Sequence, residues 1–370
     1  MEKLHYDDIS IIPEAITDIE SRQECDPFID GSLPIFASPM GSVLDETNWR
    51  LFMNQGINVV IPRTIDIYKR LNILYDCGEL EDKPFVAFSL CETLQYIVDN
   101  IVISHQKNCR YRICIDLANG HMKTLLDLIS EIKSKYGDRV EVMSGNIANP
   151  ASYKFYNDAG CDYVRTSIGT GSACLTASNT GIYYPPFSLL REIYSIKKQC
   201  GCKCKVIADG GIKGFRDIQK ALIYADYVMI GGLFNKCIES SGTTTYGKSW
   251  IKIGKFKIRN YIVDLFRMGR TINPDKYADI MPLVKSGMLE VNKMFYGMST
   301  KYAQIETHSN NNLKTSEGIV KTQKVEYSLS QWVDNEISFL RSAMSYTNSR
   351  TLDEYKESQW IQINGITYNK

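Results

Sequence analysis

The sequence has no excess of charge of either sign, because 43 lysines and arginines stand against 42 aspartates and glutamates. The formal net charge of +1 gives no overall field that would draw the chain to nucleic acid or to a membrane surface, so we expect neither as a partner. Long apolar runs are also missing, and no stretch approaches the roughly 18 residues of a membrane-spanning helix. Residues 1–12 lack the basic start and apolar stretch of a signal peptide.

Metal-binding patterns are scarce as well. The four histidines show no pairing at metal-ligand spacing, and Cys200, Cys202 and Cys204 lack both C-x-x-C spacing and a fourth ligand nearby. The 11 cysteines are scattered and odd in number. In a chain of this length without a signal sequence, this pattern favours reduced thiols and a cytoplasmic location.

Short apolar, β-branched runs recur along the chain, and each ends in small or polar residues. Continuous runs of this kind are typical of strands that are buried on both faces. We predict eight strands with helical-period stretches between them: Leu33–Ser38, Ile57–Pro62, Phe85–Ser89, Tyr111–Asp116, Val140–Ser144, Tyr163–Thr166, Lys205–Asp209 and Tyr227–Gly231. This alternation predicts an α/β fold, a TIM (β/α)₈ barrel, as a single domain over residues 1–370. An open doubly wound sheet would want a G-x-G-x-x-G turn after its first strand, and none follows Ser38.

Two segments lie outside this repeat. Residues 1–32 form an N-terminal extension before the first strand, and residues 243–293 form a long insertion after the eighth strand, beside the expected active-site face. Within the insertion, Arg259–Met268 and Pro274–Lys285 are predicted to be helical, and a final helix is predicted near Ser330–Met344. The insertion either reshapes the substrate site, reorganises an oligomer or is a solvated decoration, and the sequence leaves these alternatives open.

The loop after the sixth predicted strand, Ser167–Thr176, presents a cysteine behind small residues. TIM barrels place their reactive groups after the carboxyl ends of their strands. A thiolate is a strong nucleophile once its pKa falls below the free value, so the setting favours a catalytic Cys174 over a buried structural cysteine.

Paired glycines follow the seventh and eighth predicted strands, in Asp209-Gly210-Gly211 and Gly231-Gly232. TIM barrels commonly hold a phosphate on backbone N–H groups at these two loops, and simple turn glycines are the alternative. Asp209 itself would repel a phosphate, so it fits a ribose hydroxyl instead.

Motifs spread over nearly the whole chain occur in the order of a known family. They are Tyr6–Pro13, Ser21-Arg22 with Glu24, Ile115–His121, Ser144–Asn146, Ile168–Thr176, Ile207–Gly211, Val228–Leu233, Phe295–Ser299 and Ser316–Gly318. Each motif is weak alone, but the ordered set is specific. Through it the chain resembles the IMP dehydrogenase/GMP reductase family.

Three features of the sequence favour the reductase branch of that family. Pro62 is followed directly by a short helix, where the dehydrogenases usually carry a regulatory module. Between Ser299 and Ser316 there is no Arg-Tyr pair of the kind that activates water in the dehydrogenases, and Phe295–Ser299 resembles the reductases. The resemblance therefore implies an NADPH-dependent reductive deamination of GMP to IMP and ammonia.

The resemblance also implies a mechanism. Cys174 attacks C2 of the guanine ring and ammonia leaves, which gives a covalent thioimidate. Hydride from NADPH then reaches C2, and loss of the thiolate yields IMP. Thr176 and Glu317 would share the protonation of the leaving amine, because an amine leaves poorly unless it is protonated.

Further site residues are carried over from the family motifs. The substrate set is Asp209, Gly210, Gly211, Gly231, Gly232, Gly297, Met298, Ser299, Lys314 and Gly318. The cofactor set is Ser21, Arg22, Arg63, Asp116, Leu117, Ala118, Ile168, Gly169, Ser342 and Ser345. A K⁺ ion is implied on the backbone carbonyls of Gly169, Gly171 and Cys174, and a homotetramer is implied in which neighbouring barrels share the cofactor site.

Four positions depart from the family pattern. Ser167, Thr170 and Ala177 stand where relatives have glycine, proline and arginine, which bears on cation binding more than on nucleophilicity. Lys314 stands where the family often has arginine and loses the planar fork of that side chain. Three other functions stay open: an IMP dehydrogenase without its regulatory module, a reductase of a deoxy- or modified purine nucleotide, and a non-catalytic nucleotide sensor.

Overall fold

The computed structural model describes residues 2–77, 83–98, 109–247, 250–253, 256–259, 277–307 and 315–363. Its strands are β1 (Ile9–Ile11), β2 (Ile35–Ala37), β3 (Asn58–Ile61), β4 (Phe85–Phe88), β5 (Tyr111–Asp116), β6 (Val140–Ile147), β7 (Tyr163–Thr166), β8 (Lys205–Asp209), β9 (Tyr227–Ile230), β10 (Thr244–Tyr246), β11 (Trp250–Ile253), β12 (Phe256–Arg259), β13 (Val291–Phe295), β14 (Lys321–Lys324) and β15 (Trp360–Gln362).

Strands β2 to β9 form a closed parallel barrel in chain order, and β2 pairs with β9 to complete it. All eight predicted strands are confirmed, with differences only at their ends. The largest difference is in β6, which continues to Ile147 through a shift of register between Gly145 and Ile147. Helices separate these strands, so the fold is the predicted TIM barrel.

The α-helices have the following bounds: α1 (Trp49–Asn54), α2 (Ile67–Asp76), α3 (Leu90–Thr93), α4 (Lys123–Tyr136), α5 (Ser152–Asp158), α6 (Thr176–Thr180), α7 (Pro186–Cys200), α8 (Phe215–Leu222), α9 (Gly232–Asn235), α10 (Tyr277–Lys285), α11 (Lys301–Thr307), α12 (Leu329–Tyr346) and α13 (Leu352–Tyr355). The helix predicted near Ser330–Met344 is α12, which the short α13 follows, and the side chain of its N-cap residue Ser328 accepts the backbone N–H of Gln331. None of the helices in the described ranges is long and apolar enough to cross a membrane.

Side chains fill the inside of the barrel. Phe36, Phe85, Tyr163 and Tyr227 contact one another there, with ring centroids 5.1–6.2 Å apart. Each of these residues is at most 5% exposed. The filled interior leaves the loops at the carboxyl ends of the strands as the place for a ligand.

The N-terminal extension is joined to the end of the chain. Strand β1 pairs antiparallel with β15, and Lys220 on α8 donates a hydrogen bond to the carbonyl of Tyr6 at 2.9 Å. The extension therefore covers the outside of the barrel next to α8.

The insertion supplies part of a second, smaller sheet of three strands. Strands β10 and β14 pair antiparallel with β13, on either side of it, and β11 and β12 form a separate antiparallel pair within the insertion. Helix α10 confirms the second predicted helix of the insertion. In the first predicted helix, Arg259 ends β12 instead, and residues 260–268 lie outside the described part of the chain. A core that includes Ile280, Val284 and Val325 holds α10 against the sheet.

Candidate active site

The loop after β7 turns sharply and presents Cys174 half-buried. Ser167 has a φ of 80° and Gly169 a φ of 75°, a region of backbone conformation that favours glycine. A Cβ on Gly169 would lie 2.6 Å from the Cβ of Ala177, so the loop packs directly on the start of α6. The N–H of Cys174 donates to the carbonyl of Gly171 at 2.9 Å, which fixes the turn that carries the thiol.

A segment distant in sequence runs antiparallel beside this loop. The N–H of Leu175 donates to the carbonyl of Glu317 at 2.7 Å, and the N–H of Ile319 donates to the carbonyl of Ala173 at 2.9 Å. Gly318 lies opposite Cys174 between these bonds. A Cβ on Gly318 would approach the carbonyl oxygen of Ala173 to 3.0 Å, so a glycine is needed where the two segments meet.

The three predicted catalytic side chains form one hydrogen-bonded line. The Sγ of Cys174 lies 3.3 Å from the Oγ1 of Thr176, and this hydroxyl donates to the Oε2 of Glu317 at 2.7 Å. All three residues are half-buried. The line can carry a proton between the thiol and the carboxylate, because a hydroxyl both donates and accepts a hydrogen bond.

The glycines after β8 and β9 border the same loop. Gly210 and Gly211 have φ values of 96° and 78°, and a Cβ on Gly210 would lie 2.3 Å from the Oγ1 of Thr170. A Cβ on Gly232 would lie 3.5 Å from the Oγ of Ser172. The glycine pairs and the thiol are thus brought to one end of the barrel, where backbone N–H groups of these half-buried glycines can hold an anion.

The residues after β13 adjoin the catalytic line. The N–H of Glu317 donates to the carbonyl of Ser299 at 3.3 Å, and a Cβ on Gly318 would lie 3.0 Å from the Oγ of Ser299. Gly297 and Met298 precede Ser299 and are half-buried. Lys314 lies outside the described residues.

A buried arginine that the sequence analysis missed connects two predicted subsites. Arg165 in β7 is 8% exposed, and its guanidinium lies 2.6 Å from a carboxylate oxygen of Asp116 and 2.9 Å from one of Asp209. Arg63 contacts the other oxygen of Asp116 at 3.1 Å, and Asn146 donates to Asp209 at 2.8 Å. We call these five residues the charge bridge.

Electrostatics keep Asp116 and Arg165 ionised. Burial is the largest influence on the pKa of Asp116 and raises it, but Arg165 and Arg63 outweigh burial and hold that pKa below its ordinary value. Burial likewise opposes the charge on Arg165, while Asp209 and Asp116 raise its pKa well above the ordinary value. A charged residue inside a strand buried on both faces was the sequence signal for this bridge.

The predicted cofactor residues fall into two groups. Arg63, Asp116, Ile168 and Gly169 belong to the charge bridge or the Cys174 loop, and Leu117 and Ala118 follow Asp116. The carbonyl of Leu117 accepts the N–H of Asn146 at 3.2 Å, which ties this loop to the next one.

The second group consists of Ser21, Arg22, Ser342 and Ser345. Ser21 caps the 3₁₀ turn Arg22–Glu24, and the Oγ of Ser345 on α12 donates to the carbonyl of Ser342 at 2.8 Å. Within the described ranges, no hydrogen bond or ion pair joins these four residues to Asp116 or to the Cys174 loop. Among the described residues, these four are therefore not linked by bonds to the first group.

The predicted K⁺ site fits the residues poorly. The carbonyl of Gly171 accepts the N–H of Cys174 and keeps a second lone pair, but the carbonyl of Ser172, between two of the predicted ligands, accepts a hydrogen bond from the ammonium of Lys321. One positive charge is therefore already present in this short loop, and it disfavours a second cation beside it.

Comparisons with known proteins agree with this arrangement. The sequence model of a family described as "IMP dehydrogenase / GMP reductase domain" matches residues 106–255. A protein of Clostridium acetobutylicum named GMP reductase is 32% identical over 246 residues, which cover 65% of this chain and 72% of that relative. A protein of Streptococcus pyogenes with the same name is 28% identical over 247 residues, again 65% of this chain and 72% of the relative. A Mycobacterium bovis protein named inosine-5'-monophosphate dehydrogenase is 27% identical over 256 residues, which cover 68% of this chain and 42% of the relative. The chain therefore belongs to the IMP dehydrogenase/GMP reductase family.

Proposed function

We propose that this member of an oxidoreductase family is a GMP reductase, which converts GMP to IMP and ammonia at the expense of NADPH. The observation that carries the proposal is the line from the thiol of Cys174 through the hydroxyl of Thr176 to the carboxylate of Glu317. A nucleophile, a proton carrier and a proton acceptor are the groups that a covalent displacement at a purine carbon needs. Relatives named GMP reductase support the choice of reaction.

In the proposed mechanism, the proton of Cys174 passes through Thr176 to Glu317, and the thiolate forms a bond to C2 of the guanine. The same proton returns through Thr176 to the 2-amino group, which leaves as ammonia. A thioimidate then joins C2 to the sulfur of Cys174. NADPH, when bound, supplies the hydride that reduces C2, after which the C–S bond breaks and IMP is released. Covalent catalysis divides one difficult displacement into two easier steps.

The surrounding residues would hold the nucleotide. In this proposal Gly210, Gly211, Gly231 and Gly232 bind the phosphate through backbone N–H groups, and Asp209 accepts a ribose hydroxyl. Asp209 already accepts from Arg165 and Asn146, but a carboxylate has further acceptor positions. The base would lie against Gly297, Met298, Ser299, Lys314 and Gly318.

From the family resemblance we also propose an assembly in which subunits share the cofactor site. Arg63, Asp116, Leu117, Ala118, Ile168 and Gly169 would hold the nicotinamide end of NADPH in one subunit. Ser21, Arg22, Ser342 and Ser345 would reach the cofactor of a neighbouring subunit in the proposed homotetramer. The molar mass in solution, measured by light scattering, tests this assembly. The bound K⁺ ion and the cytoplasmic location both stay predictions. The poor fit of the predicted K⁺ site argues against the ion.

The direct test is to mix the protein with GMP and NADPH and to follow both the absorbance of NADPH and the release of ammonia. We expect both signals with the wild-type protein and neither with Cys174→Ser, because a hydroxyl is a much weaker nucleophile than a thiolate. Cys91 is exposed and lies on α3, away from the Cys174 loop in sequence, so Cys91→Ser is the matched control and should keep both signals. Turnover by Cys174→Ser at the wild-type rate would rule out the covalent mechanism.

Two related activities are separated by changing the substrates in the same assay. The relative named inosine-5'-monophosphate dehydrogenase makes that reaction the second candidate, and it would produce NADH from IMP and NAD. The position of β13, which leads from the insertion into Gly297–Ser299, favours a test of altered purines. A panel of deoxy- and modified purine nucleotides with NADPH and NADH identifies the preferred pair.

A further inference from the structure

A lysine side chain reaches the catalytic loop from the second sheet. Lys321 is the first residue of β14, and its ammonium donates a hydrogen bond to the carbonyl of Ser172, two residues before Cys174. Burial alternates along β14, so that Lys321 and Gln323 are half-buried while Thr322 and Lys324 are exposed. Lys321 is thus on the face of its strand that turns toward the loop.

The backbone on both sides of Lys321 is held in place. Strand β14 pairs with β13, where Lys321 lies opposite Phe295, and Phe295 is 3% exposed. Just before Lys321, the segment from Glu317 to Ile319 is bonded to the loop by the two backbone hydrogen bonds at Leu175 and Ala173. The strand that carries Lys321 is therefore held in position beside the Cys174 loop.

One carbonyl oxygen of the loop, that of Ser172, faces a positive charge. The carbonyl of Gly171 accepts the N–H of Cys174, and the carbonyl of Ser172 accepts the Lys321 ammonium. Among the described residues, Lys321 makes no ion pair with a carboxylate. Its charge is therefore available to the carbonyls of the loop, as that of a bound monovalent cation would be.

We propose that Lys321 is the resident cation of the Cys174 loop, so that the loop keeps its reactive shape without added K⁺. Lys321 acts as a positioning residue, since it contacts the loop and not the reacting atoms. The inference rests on the proposed function only in taking Cys174 as the reactive group. It also accounts for the poor fit of the predicted K⁺ site.

The experiment measures the reactivity of Cys174 toward iodoacetamide, read by mass spectrometry of its peptide, with no nucleotide present. Potassium chloride is varied from zero to about 0.1 M while tetramethylammonium chloride keeps the ionic strength constant. We expect the wild-type rate to change by less than about twofold, because the internal ammonium replaces the ion. In Lys321→Met the rate without K⁺ should fall about tenfold, the usual consequence of losing one charged hydrogen bond, and K⁺ should restore most of it.

Two further variants separate the charge from the general stability of the sheet. Lys321→Arg keeps a cation at the strand and should stay independent of K⁺. Lys324→Gln removes a lysine from the exposed face of the same strand and should behave as wild type. If Lys321→Met does not fold, Lys321→Gln also removes the charge, and it should show the same loss without K⁺ and the same recovery with it.

The inference is overturned if wild type needs K⁺, or if Lys321→Met matches wild type with and without the ion. It is also overturned if the loss in Lys321→Met responds equally to Na⁺ and K⁺ or to neither. Because alkylation requires no turnover, a protein that shows the expected response to K⁺ but does not reduce GMP contradicts only the proposed function.

Discussion

Replacing Arg165 by methionine removes the cation that two buried carboxylates share. Removing one partner of a buried ion pair costs about 3–5 kcal/mol, because an uncompensated charge stays behind. Arg63 still contacts Asp116 and Asn146 still donates to Asp209, so we expect a value near the lower end of that range. With an unfolding entropy of about 2.1 cal/mol/K per residue, the 370-residue chain should lose roughly 4 °C in Tm.

The Tm difference between wild type and Arg165→Met should depend on pH, and its direction follows from the pKa of Asp116. The pKa of Asp116 is lowered in the folded protein, so its pairing stabilises the fold above the unfolded pKa of about 3.9 and is lost as the pH falls through the folded value. In Arg165→Met, burial of Asp116 remains while its nearer cation is gone, so its pKa rises. The Tm difference between the two proteins should therefore be largest near neutral pH and shrink below about pH 4.

The assay is differential scanning calorimetry of both proteins over this pH range, with binding of GMP and NADPH measured alongside. Arg350→Met is the control, because Arg350 pairs with Asp18 at an exposed site and its loss should change the Tm much less. An Arg165→Met protein with the wild-type Tm at neutral pH would refute the reasoning. A difference that stays constant with pH would show that packing, and not charge, explains the loss.

Three other predictions concern the proton line, a glycine and a buried acid. Both Thr176→Val and Glu317→Gln should lower kcat by about a hundredfold or more, measured by stopped-flow absorbance of NADPH. Thr176→Ser keeps the hydroxyl and should keep most of the wild-type kcat. A wild-type kcat in Glu317→Gln would exclude proton transfer through this line. Gly210→Ala should lower both Tm and activity, because Gly210 has a φ of 96° and a Cβ there would lie 2.3 Å from a threonine hydroxyl. Gly214→Ala is the control and should change neither, because a Cβ at Gly214 meets open space. Equal effects of the two substitutions would contradict the packing argument. Burial raises the pKa of Glu336 to about 8, which lies above the unfolded value of about 4.3, so the folded protein loses stability as the pH rises between these two values. In urea unfolding over this range, the stability of Glu336→Gln relative to wild type should therefore increase by roughly 1.4 kcal/mol per pH unit. No such increase is expected if Glu336 is already ionised in the folded protein.

Much of the barrel could be predicted because its strands are buried on both faces. The run Lys205–Asp209 has three buried apolar residues between its charged ends, and its two bounds coincide with the observed β8. The second sheet gave no such signal, since β14 reads Lys-Thr-Gln-Lys and has one exposed face. Arg259 was placed in a helix because helical periodicity cannot detect the pairing partner that makes β12 a strand.

The site was predictable where a motif is local and hidden where it depends on distant contacts. Cys174 and Thr176 are two positions apart, so the loop motif contains both, and Glu317 was identified only through its own motif. Arg165 carried a readable signal, a charge within a buried strand, but its two partners come from other strands. Lys321 carried none, because one lysine in a polar stretch is ordinary and only the fold brings it to Ser172.

The two ends of the insertion come together at one point. The N–H of Gly247 donates to the carbonyl of Glu290 at 2.8 Å, directly beyond the pairing of Tyr246 with Val291. Because these two ends are adjacent, a short hairpin turn could replace the residues between them and leave the closed barrel of strands intact. Ile238, Val291 and Val325 would then lose the apolar cover that α10 provides, so a shortened protein would need polar replacements at these positions to stay monodisperse.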